Sequence, residues 1–109
     1  MKKIQMVNLE YLLELRENKE DFTLVEVLEP NQYEDGHIPG AINVPITDLE
    51  NQAPKKLKKQ DLILVYCASY TCTASTRATR DLLNMGYEKT FDFKAGKAGW
   101  QKAGFKLKK

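Results

Sequence analysis

Cysteine, histidine, net charge and long apolar runs are all scarce in these 109 residues. Two cysteines cannot build a disulfide scaffold. With a single histidine they cannot complete a four-ligand structural zinc site unless carboxylates join, so no metal and no cofactor is expected. Seventeen basic residues against fifteen acidic ones leave a net charge of +2, too mild to point to a nucleic-acid partner. No stretch approaches the roughly 18 apolar residues that a membrane span needs, so no membrane partner is expected either. The start, Met1 to Asn8, carries the basic residues of a signal peptide but no apolar core, and no export signal is read there. The expected location is cytoplasmic, where thiols stay reduced and a paired cysteine is more often catalytic or redox-active than structural. There is no internal repeat, low-complexity block or Gly/Ser linker. At 42% hydrophobic and 29% charged, the chain reads as a single globular domain over residues 1–109.

What is present is an alternation of short apolar runs and amphipathic segments. Ile4 to Val7 suits a short first strand, and Asn8 suits a helix N-cap, with Leu9, Leu12, Leu13 and Arg16 following at helical spacing. Phe22 to Leu28 is an apolar, β-branched run interrupted by Glu26, and Pro30 ends it. Ala41 to Val44 is another short strand, Thr47 to Glu50 a helix start, and Lys55 to Lys59 a solvated connection. Leu62 to Tyr66 is apolar throughout, as in a central parallel strand covered on both faces. Ala74, Ala78, Leu82 and Met85 make one helical stripe, with Gly86 placed for a positive-φ helix end. Thr90 to Phe93 is a last strand, and Trp100 lies in a last short helix. Strands alternating with helices predict an α/β fold with a parallel sheet.

Cys67 follows the most apolar strand directly, at the carboxyl edge where open α/β sheets bind ligands. Residues Ala68 to Cys72 form a loop whose backbone N–H groups can converge on the sulfur, and the next helix points its positive dipole end there. Both effects favour thiolate, the nucleophilic form. The plainer reading is a buried, inert core cysteine.

The stretch Gly36-His37-Ile38-Pro39-Gly40-Ala41-Ile42-Asn43-Val44-Pro45 resembles the signature segment of rhodanese-like domains. Leu24-Val25-Glu26-Val27 before it and Val65-Tyr66-Cys67 after it fall in the family's order. Ala95-Gly96-Lys97-Ala98-Gly99-Trp100 is similar to the family's Gly-Gly-x-x-Ala-Trp. The resemblance implies a three-layer rhodanese-like fold with a parallel sheet of about five strands and helices on both faces. It also implies a sulfurtransferase in which Cys67 takes a sulfane sulfur from a small-molecule donor, thiosulfate or a persulfide. The resulting persulfide passes that sulfur to cyanide or a thiol.

The chain departs from the family pattern in three places. Many members have Asp-Val-Arg where this chain has Glu26-Val27-Leu28, so a buried arginine is missing at Leu28. The loop after Cys67 is long, has no positive side chain before Arg77, and carries a second cysteine, Cys72, as in a Cys-x4-Cys subgroup. Ala95 stands in place of the first glycine of the C-terminal segment. Cys72 either captures an oxidised or persulfidated Cys67 as a disulfide or packs as a small hydrophobe. Ser69, Tyr70, Thr71 and Thr73 either donate hydroxyls to a sulfur-bound anion or cap the helix. Arg77 either reaches an anion or is a plain surface arginine. His37, in a turn, reads as structural, and Trp100 as closing the core against the last strand. The lysines at 55, 56, 58, 59, 106, 108 and 109 are solvated faces or, less simply, a docking face for an acidic partner protein.

Sulfur transfer through Cys67 therefore stands beside two alternatives: a thiol redox protein cycling a Cys67–Cys72 disulfide, and a non-catalytic binding module of the same fold. A phosphatase is set aside, because the Cys-x5-Arg clamp would need arginine where Thr73 stands.

Overall fold

The computed structural model describes residues 3–109. Met1 and Lys2, part of the start read for an export signal, lie outside the described residues. Among the described residues four parallel strands form one sheet in the order β2-β1-β3-β4: β1 Thr23–Glu26, β2 Ile42–Asn43, β3 Ile63–Tyr66 and β4 Thr90–Asp92. β1 pairs with β2 and β3 on its two sides, and β3 with β4. All four residues of β3 are buried, as its unbroken apolar run requires.

The helices divide between the two faces by the period-2 alternation of the strands. Leu24, Leu64 and Tyr66 face one way, toward α1 (Leu9–Glu17) and the last helix, with Leu12, Leu15, Phe93 and Trp100. Val25, Ile63 and Val65 face the other way, toward α3 (Leu49–Lys56) and α4 (Ala74–Asn84), with Leu49, Ala53, Ala78, Leu82 and Tyr87. A short α2 (Pro30–Asp35) starts on Pro30 behind a Glu29–Gln32 capping box, and α5 (Gly96–Lys102) carries Trp100. Among the described residues, no helix is long and apolar enough to cross a membrane.

Three expectations change. The sheet has four strands rather than about five: the expected first strand shrinks to a single parallel bridge, Met6 on Asp92, at the outer edge of β4. Asn8 cuts it short, because its side chain accepts the Tyr11 N–H at 2.9 Å and turns the chain into α1 directly after Val7. In α1 the buried leucines are Leu12 and Leu15, with Leu9 and Leu13 only half-buried, so the core-facing stripe is rotated from the one expected. Lys55 and Lys56, expected in a connection, complete the last turn of α3 instead, where cations suit the helix dipole. Gly86 follows α4 at φ 101°, as its position predicts.

Candidate functional site

Cys67 is the first residue beyond β3 and has no exposed surface. Its backbone is gripped from α5: Lys97 N–H donates to the Cys67 carbonyl at 3.1 Å, and Ala98 N–H to that of Ala68 at 2.9 Å. This close approach explains Gly96. Its φ is +59°, and a Cβ there would lie 2.2 Å from the Cys67 carbonyl oxygen.

Beyond Cys67 the chain folds back on itself. Cys72 N–H donates to the Ser69 carbonyl at 3.0 Å, and Cys67 Sγ donates to the Cys72 carbonyl at 3.6 Å. The two thiols are both free and near enough for each to shift the other's ionisation. Thr73, which precedes α4, makes no side-chain cap, so the first N–H groups of the helix turn toward the sulfurs instead.

Of the two thiols, the second is the one whose ionisation the surroundings favour. Burial pushes the Cys67 thiol up, and its contact with the Cys72 thiol pushes it further; the Ser75 hydroxyl and backbone N–H pull against both without prevailing. That hydroxyl is fully buried and has no hydrogen-bond partner of ordinary geometry among the described residues. Burial alone would also raise Cys72. It is outweighed by the Cys67 thiol, the backbone N–H groups of Ala74 and Ala68, and the Lys94 ammonium, which together hold the Cys72 thiol below its ordinary value. The loop amides were expected to depress Cys67. They converge mainly on Cys72, because the loop reversal brings that sulfur, not the buried one, over Ala68 and Ala74.

Sequence reasoning missed Ser75 and Lys94. Lys94 follows β4, whose end lies beside the end of β3. Its Nζ donates to the Cys72 carbonyl at 3.2 Å and to Thr76 Oγ1 at 3.1 Å, 5.8 Å from the centre of the Tyr70 ring. Thr76 in turn donates to buried Asp92 at 2.7 Å. A positive charge therefore does stand at the loop, delivered by the neighbouring strand. The signal available in the sequence was a lysine directly after a strand end. Lys94 and Tyr70 also line a cleft of about 260 Å³ with Met6, Val7, Leu9 and Ala95.

The other expected loop residues are placed as follows. Ala68, Tyr70, Thr71 and Thr73 are exposed, and Ser69 is half-buried. Ser69 and Thr71 bond each other at 3.1 Å and neither sulfur, so Ser75 is the hydroxyl beside Cys67. Arg77 is exposed, and its side chain makes no hydrogen bond or ion pair among the described residues. His37 stacks on Tyr33 at 3.9 Å with Nδ1 3.0 Å from the Tyr33 carbonyl, a turn-stabilising role. Trp100 is buried in the core and donates to the Lys106 carbonyl at 3.0 Å.

The arginine missing at Leu28 is answered elsewhere. Leu28 packs on the core, while the buried Glu26 carboxylate accepts from Tyr66 Oη at 2.8 Å and pairs with Lys97 Nζ at 3.1 Å. Burial and then the charge of Glu26 push the Tyr66 phenol up, so it stays a neutral donor.

Comparison with known proteins agrees with this architecture. The chain matches the rhodanese-like domain over residues 8–103. It is 37% identical over 94 residues to the HTH-type transcriptional regulator Rv0324 of Mycobacterium tuberculosis, covering 85% of this chain and 40% of the regulator. It is 32% identical over 95 residues to the chloroplastic thiosulfate sulfurtransferase 16 of Arabidopsis thaliana, covering 77% of this chain and 78% of that protein. The solution structure of the rhodanese-like domain of Alr3790 from Anabaena superimposes with a TM-score of 0.85 at 31% identity, over 97% of this chain and 80% of that one. With four parallel strands clothed on both faces and a family match over most of its length, this chain belongs to the rhodanese-like domain family.

Proposed function

We propose that this domain is a sulfurtransferase that carries a sulfane sulfur as a persulfide on Cys67. The observation that carries the reading is the position of Cys67. It stands at the carboxyl end of the central strand, beneath a loop, with the Ser75 N–H and the start of α4 at its sulfur. Likeness to a thiosulfate sulfurtransferase supports the same chemistry.

In the transfer, the Cys67 thiol gives its proton to water once the donor has opened the loop, and the Cys67 thiolate attacks the sulfane sulfur of the donor. Thiosulfate then leaves as sulfite, or a persulfide leaves as its thiolate. The outer sulfur of the Cys67 persulfide next goes to cyanide, giving thiocyanate, or to an acceptor thiol, and Cys67 is regenerated. The loop amides and the helix end favour the anionic persulfide as they would any anion. Because Cys67 is fully buried, a donor reaches it by displacing the exposed loop around Tyr70 and Thr71.

The test is turnover with cyanide as acceptor, using thiosulfate and glutathione persulfide as donors. Wild type should form thiocyanate and Cys67→Ser should form none above background. Equal turnover by Cys67→Ser would overturn the reading.

A further inference from the structure

Two neighbouring thiols are more than a sulfur carrier requires. We propose that Cys72 discharges the persulfide of Cys67 as free hydrosulfide, closing a Cys67–Cys72 disulfide that an external thiol reopens, so that the domain is also a sulfane-sulfur reductase. This rests on the Cys67 persulfide reading above.

The first observation is placement. The loop reversal brings the Cys72 carbonyl to 3.6 Å from Cys67 Sγ, the inner sulfur of any persulfide formed there, and sets the Cys72 thiol near enough for each thiol to shift the other's ionisation. An intramolecular thiol held at that position competes well with a dissolved acceptor. The second is nucleophile activation: the N–H groups of Ala68 and Ala74 and the Lys94 ammonium favour the thiolate of Cys72.

The third observation decides which sulfur is attacked. With the loop closed, attack by Cys72 on the outer sulfur would expel the Cys67 thiolate into a buried site that disfavours it, whereas an external acceptor reaches the outer sulfur with the loop displaced and the site open to water. Attack on the inner sulfur expels hydrosulfide, a weaker base than an alkyl thiolate. Leaving groups of lower pKa leave faster, so inner attack is preferred.

Electrons and atoms balance without any oxidant beyond the persulfide itself. The proton held by Cys72 moves to the outer sulfur. The Cys72 thiolate then forms a bond to Cys67 Sγ, the sulfur–sulfur bond of the persulfide breaks, and hydrosulfide departs with the electron pair. The sulfane sulfur is reduced and the two cysteines are oxidised. Two equivalents of a low-mass thiol, or one dithiol, then reduce the disulfide and are themselves oxidised to a disulfide. Cys72 is only half-buried and its neighbours Thr71 and Thr73 are exposed, so the reductant has access.

The experiment is anaerobic exposure of wild type, Cys72→Ser and Cys67→Ser to glutathione persulfide, followed by rapid desalting. Intact mass and released sulfide are then read against a buffer blank. Wild type should lose two hydrogens and release about one equivalent of sulfide per chain, and dithiothreitol should restore its mass. Cys72→Ser should gain one sulfur and release none. Cys67→Ser should release no sulfide.

Wild type that keeps one added sulfur, with no sulfide released, overturns the reductase proposal and leaves the persulfide reading standing. Cys72→Ser that stays folded by circular dichroism but gains no sulfur overturns the persulfide reading itself. Cys67→Ser that becomes glutathionylated while releasing as much sulfide as wild type also overturns the proposal, since the sulfide would then arise at Cys72 alone.

Discussion

Lys97 binds Glu26 and Cys67 at once: its ammonium lies 3.1 Å from a carboxylate with no exposed surface, while its backbone N–H holds the Cys67 carbonyl at 3.1 Å. One residue of α5 thus ties the end of β1 to the end of β3 and seats the cysteine. Removing the ammonium leaves Glu26 with the Tyr66 hydroxyl alone. Breaking one side of a buried ion pair costs on the order of 3–5 kcal/mol, so Lys97→Met should lower unfolding stability by about that much in urea melts. Adding Glu26→Gln should recover part of the loss, because an amide carbonyl still accepts from Tyr66. A loss below about 1 kcal/mol in the single variant would mean that the pair is only a surface contact.

Gly96→Ala sets a Cβ 2.2 Å from the Cys67 carbonyl at a φ of +59°. Left-handed backbone costs a non-glycine residue about 1–3 kcal/mol, and the clash with rigid backbone adds to it. Thermal melting should show a loss above about 3 kcal/mol, and sulfur loading of any folded fraction should fall as the cysteine shifts. A variant with wild-type stability would show that α5 moves freely relative to β3.

Ala95 and Gly99 exchange the small and large positions of the related family segment. The geometry says why: a Cβ on Gly99 would lie 2.5 Å from that of Ala95, so one methyl fits and two do not. Gly99→Ala alone should cost about 1–3 kcal/mol as overpacking. Combined with Ala95→Gly it should return to wild-type stability or better, since alanine favours a helix interior over glycine by about 1 kcal/mol. Additive single and double variants in chemical denaturation would contradict this steric coupling.

The pH profile of alkylation should single out Cys72. A thiol held below its ordinary value has more thiolate at neutral pH than free cysteine, and one pushed up has less. Iodoacetamide near neutral pH should therefore label Cys72 first, read by peptide mapping. In Cys67→Ala the thiol donor to Cys72 is gone and the alkylation midpoint should rise, whereas Cys67→Ser keeps a donor and should shift it less. First labelling at Cys67 would reverse the assignment of charge within the pair.

Lys94→Met should weaken use of the dianion thiosulfate. Hydrogen bonds to charged groups contribute about 1.5–3 kcal/mol, so kcat/KM for thiosulfate should fall roughly tenfold or more. The Cys72 alkylation midpoint should rise in the same variant, because the ammonium is among the groups that depress it. Unchanged values for both would show that Lys94 serves only to bond the Cys72 carbonyl and Thr76.

The elements of this fold were legible because they are local. The apolar run ending in Tyr66 marks the central strand, Asn8 caps α1, and Gly86 closes α4, each from residues within one turn or one strand of itself. From strand alternation alone, Cys67 falls at the carboxyl edge of the sheet, and that position needs no other part of the chain. Which residues meet there is a different matter. Strand order places the end of β4 beside that of β3, so Lys94 stands on Cys72, and α5 returns to that edge, so Lys97 stands on Glu26. The division of charge between Cys67 and Cys72 follows from burial and from N–H groups and an ammonium within a few ångströms. Those are through-space quantities that no spacing along the chain contains. The first strand fell short for a related reason: four residues with strand propensity pair only as far as the neighbouring edge and the next helix cap allow.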